Sequence, residues 1–169
     1  MIELKTPLSE DIISLLKVGD VVSITGYIYC GRDAVLPKIC KELESDVWYK
    51  RGIDLKGGVI FHTAVSPAGV GPTSSNKLEI ESSFETLSKA GIKLHLGKGA
   101  IKQETVKKLE EYNAVFAIIP PVTALLESQT LERECTAWPE FGMEALYRIR
   151  VENYQAIIAA AHGESIYLH

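Results

Sequence analysis

Residues 92–119, IKLHLGKGAIKQETVKKLEEYNAVFAII, decide the fold of this 169-residue chain. Apolar residues alternate with polar ones over 92–96, which predicts a strand that ends in the turn Gly97-Lys98-Gly99. Helical periodicity then covers 102–112, and the continuous apolar run 114–119 predicts a second, buried strand. Two strands joined by a helix form a parallel crossover unit.

The same alternation of strands and helices extends toward the N-terminus, and the chain closes with strands. Strands are predicted at 21–29, 59–65, 147–154, 156–159 and 165–168, and helices at 8–16, 34–43 and from about 75 to 90, with one or two helical turns at 122–127. Early and late strands thus surround a central β-α-β-α-β stretch. We therefore predict one α/β domain over 1–169, layered, with a mixed sheet that is parallel in its middle.

Composition and charge exclude several classes of protein. The net charge is −4 and the pI about 5.6, which argues against nucleic acid or an anionic membrane as a partner. No apolar run reaches the roughly 20 residues of a spanning helix. The first residues lack the layout of a signal peptide, so we expect a cytoplasmic protein.

The cysteine count favours reduced thiols. Cys30, Cys40 and Cys135 form no Cys-x-x-Cys pair, and Cys40 lies within an apolar helical pattern typical of a buried thiol. We expect no metal site built from this chain alone.

Three glycine-hinged loops each carry a cation, and they are the candidate binding elements. They are 31–33 with Arg32, 69–77 with Lys77, and 97–99 with Lys98. Backbone N–H groups and cations at helix N-termini bind anions, so the loops together predict a site for a small anionic ligand beyond the carboxyl ends of the strands.

Each loop also has a purely structural explanation. Gly97-Lys98-Gly99 is compatible with a solvated turn, Thr73 and Ser74 with helix capping, and Arg32 with an ion pair to Asp33. His62, within a predicted strand, is more typical of a core histidine than of a ligand, and His95, also within a strand, is expected to be structural or exposed.

In sequence order, these motifs resemble the β-subunit, or carboxyl-terminal domain, of the class I iron–sulfur-dependent fumarate hydratase and L(+)-tartrate dehydratase family. The resemblance runs nearly end to end. It is carried by Thr6-Pro7-Leu8-Ser9-Glu10, by Gly26-Tyr27-Ile28-Tyr29 with Arg32-Asp33-Ala34, by Gly71-Pro72-Thr73, by Gly97-Lys98-Gly99 and by Gly142-Met143-Glu144-Ala145-Leu146-Tyr147. It implies a swivelling β/β/α domain and a hydro-lyase that adds water to, or removes it from, a small dicarboxylate, fumarate/malate first and tartrate second.

The resemblance also implies a partner and a cofactor. A [4Fe–4S] cluster would be held by a separate α-subunit and not by this chain, in a hetero-oligomer, with self-association of the lone chain as a further expectation. Arg32, Lys77 and Lys98 would bind substrate carboxylates, Thr73 would orient the substrate, and Ser74 stands where the family places a hydroxyl proposed as the catalytic base.

Several residues depart from the family pattern and keep alternatives open. Leu36 replaces a common histidine, Lys77 replaces an arginine and so loses the bidentate fork, and Pro120-Pro121 stands at a Gly-Gly position. A stand-alone dicarboxylate-binding module without catalysis is therefore one alternative. A phosphate-ligand enzyme that uses the Gly-Lys-Gly turn is another, which lacks an accompanying acid–base pair.

Overall fold

A computed structural model describes residues 1–66, 69–73, 77–119 and 129–166, with side chains over 1–63, 81–119 and 129–166. The strands are β1 (Ile2–Lys5), β2 (Val21–Cys30), β3 (Val59–Phe61), β4 (Thr63–Ser66), β5 (Gly69–Thr73), β6 (Leu94–Gly97), β7 (Val115–Ile118), β8 (Thr130–Ala137), β9 (Leu146–Ala161) and β10 (Glu164–Ser165). The helices are α1 (Glu10–Leu15), α2 (Leu36–Leu43), α3 (Lys77–Lys89) and α4 (Gln103–Glu111), with short 3₁₀ helices at Trp48–Arg51 and Pro139–Glu144.

The main sheet is mixed, and its middle is parallel as predicted. The order β1-β2-β3-β6-β7 is parallel throughout, while β9 runs antiparallel to both β2 and β7. Because β9 contacts the two outer members of the run from β2 to β7, the pairings close into a ring of five strands. The predicted α/β class with a mixed sheet is confirmed.

The strand β9 is longer than the sequence pattern indicated. It spans 16 residues where two strands were predicted, although Asn153 takes a positive φ of 55° within it. Its first half pairs with both β2 and β8, and its second half reaches β7. The pattern of apolar and polar residues indicated two strands because the strands that neighbour β9 change along its length.

Two further strands and a hairpin were not predicted. The strands are β1 and β8. The hairpin joins β4 to β5 with Thr63 opposite Thr73, so residues 69–73, predicted as part of a glycine loop, form a strand. The predicted turns at 122–127 and the end of the strand at 165–168 lie outside the described residues.

Three apolar clusters form the core. The largest lies among the strands of the main sheet and α1, the second between α2 and the segment around Trp138, and the third between α3, α4 and the end of β9. Burying one large aliphatic side chain there stabilises the folded chain by about 1.5–3 kcal/mol relative to leaving that side chain exposed. The core thus holds the strand ends in a fixed arrangement.

Capping and one buried cation fix α1. The Ile12 N–H donates to Ser9 Oγ at 3.3 Å, so Ser9 is the N-cap of this helix. Lys93 is almost fully buried, and its Nζ donates to the Tyr112 carbonyl at 2.7 Å and lies 2.6 Å from Glu10 Oε1.

Among the described residues, none of the helices has both the length and the apolar character of a membrane-spanning segment.

Candidate functional site

The carboxyl ends of the four parallel strands β2, β3, β6 and β7 lie at one edge of the sheet. Cys30 is in register with Phe61, Phe61 with Leu96, and Gly97 with Ile118. The Gly31 N–H donates to the Phe61 carbonyl at 3.0 Å, which ties the first loop to the end of β3. The prediction that loops 31–33 and 97–99 follow strand ends at the same edge is therefore confirmed.

Arg32 combines an ordered backbone with an unpaired side-chain nitrogen. Its carbonyl accepts from the N–H groups of Val35 (3.1 Å) and Leu36 (2.9 Å), so the loop passes directly into α2. The side chain is 27% exposed, but Nε is buried and has no hydrogen-bond partner among the described residues. Since buried polar atoms are rarely left unpaired, Nε is suited to a ligand oxygen.

Glu144 is a site residue that the sequence analysis did not single out. Its Oε1 lies 4.0 Å from Arg32 Nε, close enough for an ion pair and too far for a hydrogen bond. The 3₁₀ helix that carries it begins after Trp138, whose φ is 54°, and is kinked at Gly142, whose φ is 59°. Tyr147 Oη donates to the Gly142 carbonyl at 3.1 Å. The late motif quoted from the sequence thus supplies a carboxylate that forms an ion pair with Arg32.

Lys98 lies exposed at the tip of its turn, two strands away from Arg32. Neighbouring strands are about 4.8 Å apart, so the strands carrying the two cations are separated by about 10 Å. Gly99 has φ of +76°, and a Cβ at Gly97 would come within 3.2 Å of the Phe116 ring, so both glycines shape the turn. In the described part of the chain the Lys98 side chain has no hydrogen bond or ion pair.

The second predicted loop is described only in part. Thr73 ends β5, and Lys77 is the first residue of α3, but their side chains lie outside the described residues. Ser74 lies outside them entirely. The roles of Thr73, Ser74 and Lys77 therefore stay predictions.

Two histidines form a buried pair beside this edge. His62 Nε2 lies 3.4 Å from His95 Nδ1, and Ser88 Oγ lies 2.9 Å from His95 Nε2. The Phe84 ring lies against both imidazoles, at centroid distances of 4.9 Å and 4.3 Å. Burial lowers the pKa of His62 to about 3, and burial together with His62 lowers the pKa of His95, so both are neutral. The expectation of a core histidine at 62 is confirmed.

The cysteines of this chain do not fit an iron–sulfur cluster. Burial raises the pKa of the Cys30 thiol, and burial with the Glu44 charge raises that of Cys40 to about 11, whereas cluster ligands are thiolates. Cys30 and Cys135 lie on strands separated by β9. Among the described residues, no three His, Cys, Asp or Glu side chains form a group that could hold a metal ion.

The comparison with known families matches the whole chain. The model of the family described as fumarase C-terminus covers residues 1–169. The chain belongs to this family. It is the one that contains the β-subunits and carboxyl-terminal domains to which the motifs pointed.

Individual relatives carry two kinds of name. A protein of Methanocaldococcus jannaschii named "Putative L(+)-tartrate dehydratase subunit beta" is 34% identical over 167 residues, covering 90% of this chain and 84% of the relative. The L(+)-tartrate dehydratase subunit beta of Escherichia coli K12 is 30% identical, with 96% and 85% covered. A "Putative fumarate hydratase class I" of Geobacillus stearothermophilus is 31% identical over 180 residues. This match covers 99% of the present chain of the fumarase C-terminus family and 34% of the relative.

Proposed function

We propose that this chain is the β-subunit of a two-subunit, [4Fe–4S]-dependent hydro-lyase that reversibly hydrates or dehydrates a small dicarboxylate. The observation that carries the proposal is the buried Nε of Arg32, which has no hydrogen-bond partner among the described residues and lies at the same edge of the sheet as Lys98. Cations spaced by two strands suit a ligand with a carboxylate at each end. The names of the relatives support hydro-lyase chemistry.

The chemistry of dehydration explains why such an edge needs cations. Removing a proton from the carbon next to a carboxylate builds additional negative charge on that carboxylate. A guanidinium and an ammonium fixed in place before reaction stabilise this charge, and do so more strongly where water is excluded. Arg32 and Lys98 would bind the carboxylates and hold the substrate in register with the reacting groups.

Residues of the second loop complete the proposed site. Lys77, at the first position of α3, would add a third cation, aided by the helix dipole. Thr73 would orient the substrate, and Ser74 would accept the carbon-bound proton. A serine requires activation for this role, and neighbouring cations lower the pKa of a hydroxyl.

The cluster is assigned to the α-subunit. Its open iron would supply a Lewis acid when bound, and the cysteines of this chain offer no ligand set for it. The β-subunit named in two of the relatives implies such a partner. We accordingly propose a cytoplasmic hetero-oligomer in which this chain is a swivelling β/β/α domain.

Two substrates remain in competition. Fumarate/malate is the first candidate, from the sequence motifs. L(+)-tartrate is the second, and the 34% identity to the Methanocaldococcus jannaschii protein named for that activity favours it.

The test is anaerobic co-expression with an α-like partner, followed by a screen of fumarate, malate and tartrate. We expect the assembled enzyme to turn over one of these dicarboxylates and the lone chain to turn over none. Arg32→Ala and Lys98→Ala should reduce activity, whereas Glu85→Ala, which removes an exposed carboxylate of α3, serves as the control.

Calorimetry separates the enzyme from the binding module. Tight binding of a dicarboxylate by the lone chain, with no turnover by the assembled pair, would favour the module and contradict the proposed enzyme.

A further inference from the structure

The N-terminus of α4 is capped by a residue of another helix. Lys102 occupies the N-cap position and makes no side-chain capping bond of its own. Instead, Glu81 of α3 supplies one oxygen, Oε1, that accepts from the Lys102 N–H and from Thr105 Oγ1, each at 2.7 Å. A carboxylate at this place satisfies a backbone donor and complements the positive end of the helix.

This contact connects two of the three candidate loops. Lys102 follows the Gly97-Lys98-Gly99 turn by three residues, so a bond to its N–H fixes the chain at the far end of that turn. Glu81 lies four positions after Lys77, and residues four apart lie on the same face of a helix. Glu81 therefore joins the first turn of α3 to the segment that follows Lys98.

The near end of the turn is fixed by different means. Gly97 is in register with Ile118 on β7, and its carbonyl accepts from the Ile119 N–H at 3.2 Å. The turn is thus held by the sheet on one side and by Glu81 on the other. Lys98 itself, exposed and without a partner among the described residues, depends on these two attachments for its position.

We propose that Glu81 is a positioning residue for Lys98, and that it sets the spacing between the Lys98 turn and the N-terminus of α3. The proposal rests on the proposed function, in which both elements bind one dicarboxylate. Glu81 does not touch the substrate in this account, because its Oε1 is occupied by Lys102 and Thr105.

A matched control lies one turn further along the same helix. Glu85 Oε1 lies 3.6 Å from Lys108 Nζ and so also connects α3 to α4, but through exposed side chains rather than through the backbone before α4. We call the contact of Glu81 with the Lys102 N–H and Thr105 the clamp. Glu81→Ala removes the clamp, whereas Glu81→Gln keeps an oxygen that can accept both bonds. Glu85→Ala removes only a surface ion pair.

The first measurement is amide hydrogen exchange on the full chain, with no substrate or partner needed. We expect Glu81→Ala to accelerate exchange at Lys102 by at least about tenfold, because the charge-assisted hydrogen bond from its N–H to Glu81 is lost. Glu81→Gln should restore most of the protection, and Glu85→Ala should leave it unchanged. Unchanged exchange in Glu81→Ala would overturn the clamp, whatever the chain's function.

The second measurement is a double-mutant cycle in the assembled enzyme. Glu81→Ala should lower kcat/KM at least about fivefold and Glu81→Gln less than about twofold, because only the former loses the acceptor. In a Lys98→Ala background, Glu81→Ala should add no further loss, since it acts through Lys98. Fully additive losses would overturn the positioning role.

The two measurements separate this inference from the function on which it rests. If the assembled wild-type enzyme turns over no dicarboxylate, the proposed function fails. The exchange rate at Lys102 then decides by itself whether Glu81 holds the chain before α4: accelerated exchange in Glu81→Ala supports the contact, and unchanged exchange rules it out.

Discussion

The cations at the carboxyl ends of the parallel strands and those on the β8–β9 ribbon differ in how closely carboxylates pair with them. On the ribbon, Arg148 and Arg150 stand directly opposite Glu134 and Glu132, with ion-pair distances of 3.4 Å and 3.1 Å. At the carboxyl ends of the parallel strands, Arg32 Nε has no hydrogen bond and Lys98 has no ion pair within the described residues. Within the described residues, Arg32 and Lys98 therefore keep hydrogen-bond donors that the proposed ligand could use.

The largest effect is expected at Ser74, the proposed catalytic base. Ser74→Ala should lower kcat of the assembled enzyme by about a hundredfold or more with little change in KM, as loss of a general base does. Ser74→Thr should retain activity. Thermal unfolding of the same variants is the control, because an alanine that only loses a helix cap costs about 1 kcal/mol of stability and leaves kcat intact.

The comparison itself is tested by removing cations from both regions. Arg32→Ala and Lys98→Ala should each reduce kcat/KM by at least about tenfold, since a charge-assisted contact is worth roughly 1.5–3 kcal/mol. Arg148→Ala and Arg150→Ala should leave kcat/KM within about twofold, because their partners are already in the chain. Equal losses in the two regions would show that pairing does not mark the site.

The buried histidines contrast with Arg32, because they are expected to affect stability rather than ligand binding. His62 Nδ1, like Arg32 Nε, is buried without a partner in the part of the chain that the structure describes, but the imidazole is neutral. The unfolded chain protonates both histidines near pH 6.5, whereas the folded chain does so only at much lower pH. Folded stability is therefore complete above pH 6.5 and falls as the pH drops below it.

The expected loss between pH 7 and pH 5.5 is about 1 kcal/mol for each histidine. Denaturant unfolding at a series of pH values measures it. The pKa values of Glu10 and Glu42 are lowered by their hydrogen-bond partners, so these carboxylates titrate below this window. A flat profile from pH 7 to 5.5 would mean that the pair is protonated, and hence hydrated, in the folded chain.

The smallest effect is expected on the ribbon. Arg150→Ala should cost less than about 1 kcal/mol of unfolding free energy, because exposed ion pairs contribute little. Added salt should reduce even this difference. A larger cost that persists at high salt would indicate that the Arg150 stem, rather than its charge, packs against β8.

The parallel middle of the fold was predictable because its elements have clear periodicities. Strands β2, β6 and β7 and helices α2 and α4 begin and end within two residues of the predicted positions. The single strand predicted at 59–65 was wrong, because this segment forms β3 in the main sheet and β4 in the two-stranded sheet. The strand β8 was missed because residues 132–135 are exposed on both faces, which removes the alternation. Strand β5 was hidden by two glycines and a proline within 69–73, since its pairing with β4 overrides their poor strand propensity.

The site was predictable where it depends on local sequence and not where it depends on distant contacts. Arg32 and Lys98 follow strand ends, so topology alone brings them to one edge. Glu144 and Glu81 act on loops far from them in sequence, and a glutamate on an exposed helix face gives no signal of such a contact. Only the folded chain shows which carboxylates are near which loops.

The strand β9 carries a consequence for how the protein is made. It pairs with β2, far earlier in the chain, and with β7, so the ring of strands closes only when β9 docks. Until the ribosome has released residues 146–161, one edge of β2 has no partner from this chain, and exposed strand edges invite intermolecular pairing. The growing chain thus passes through a stage in which association with other molecules competes with its own last step of folding.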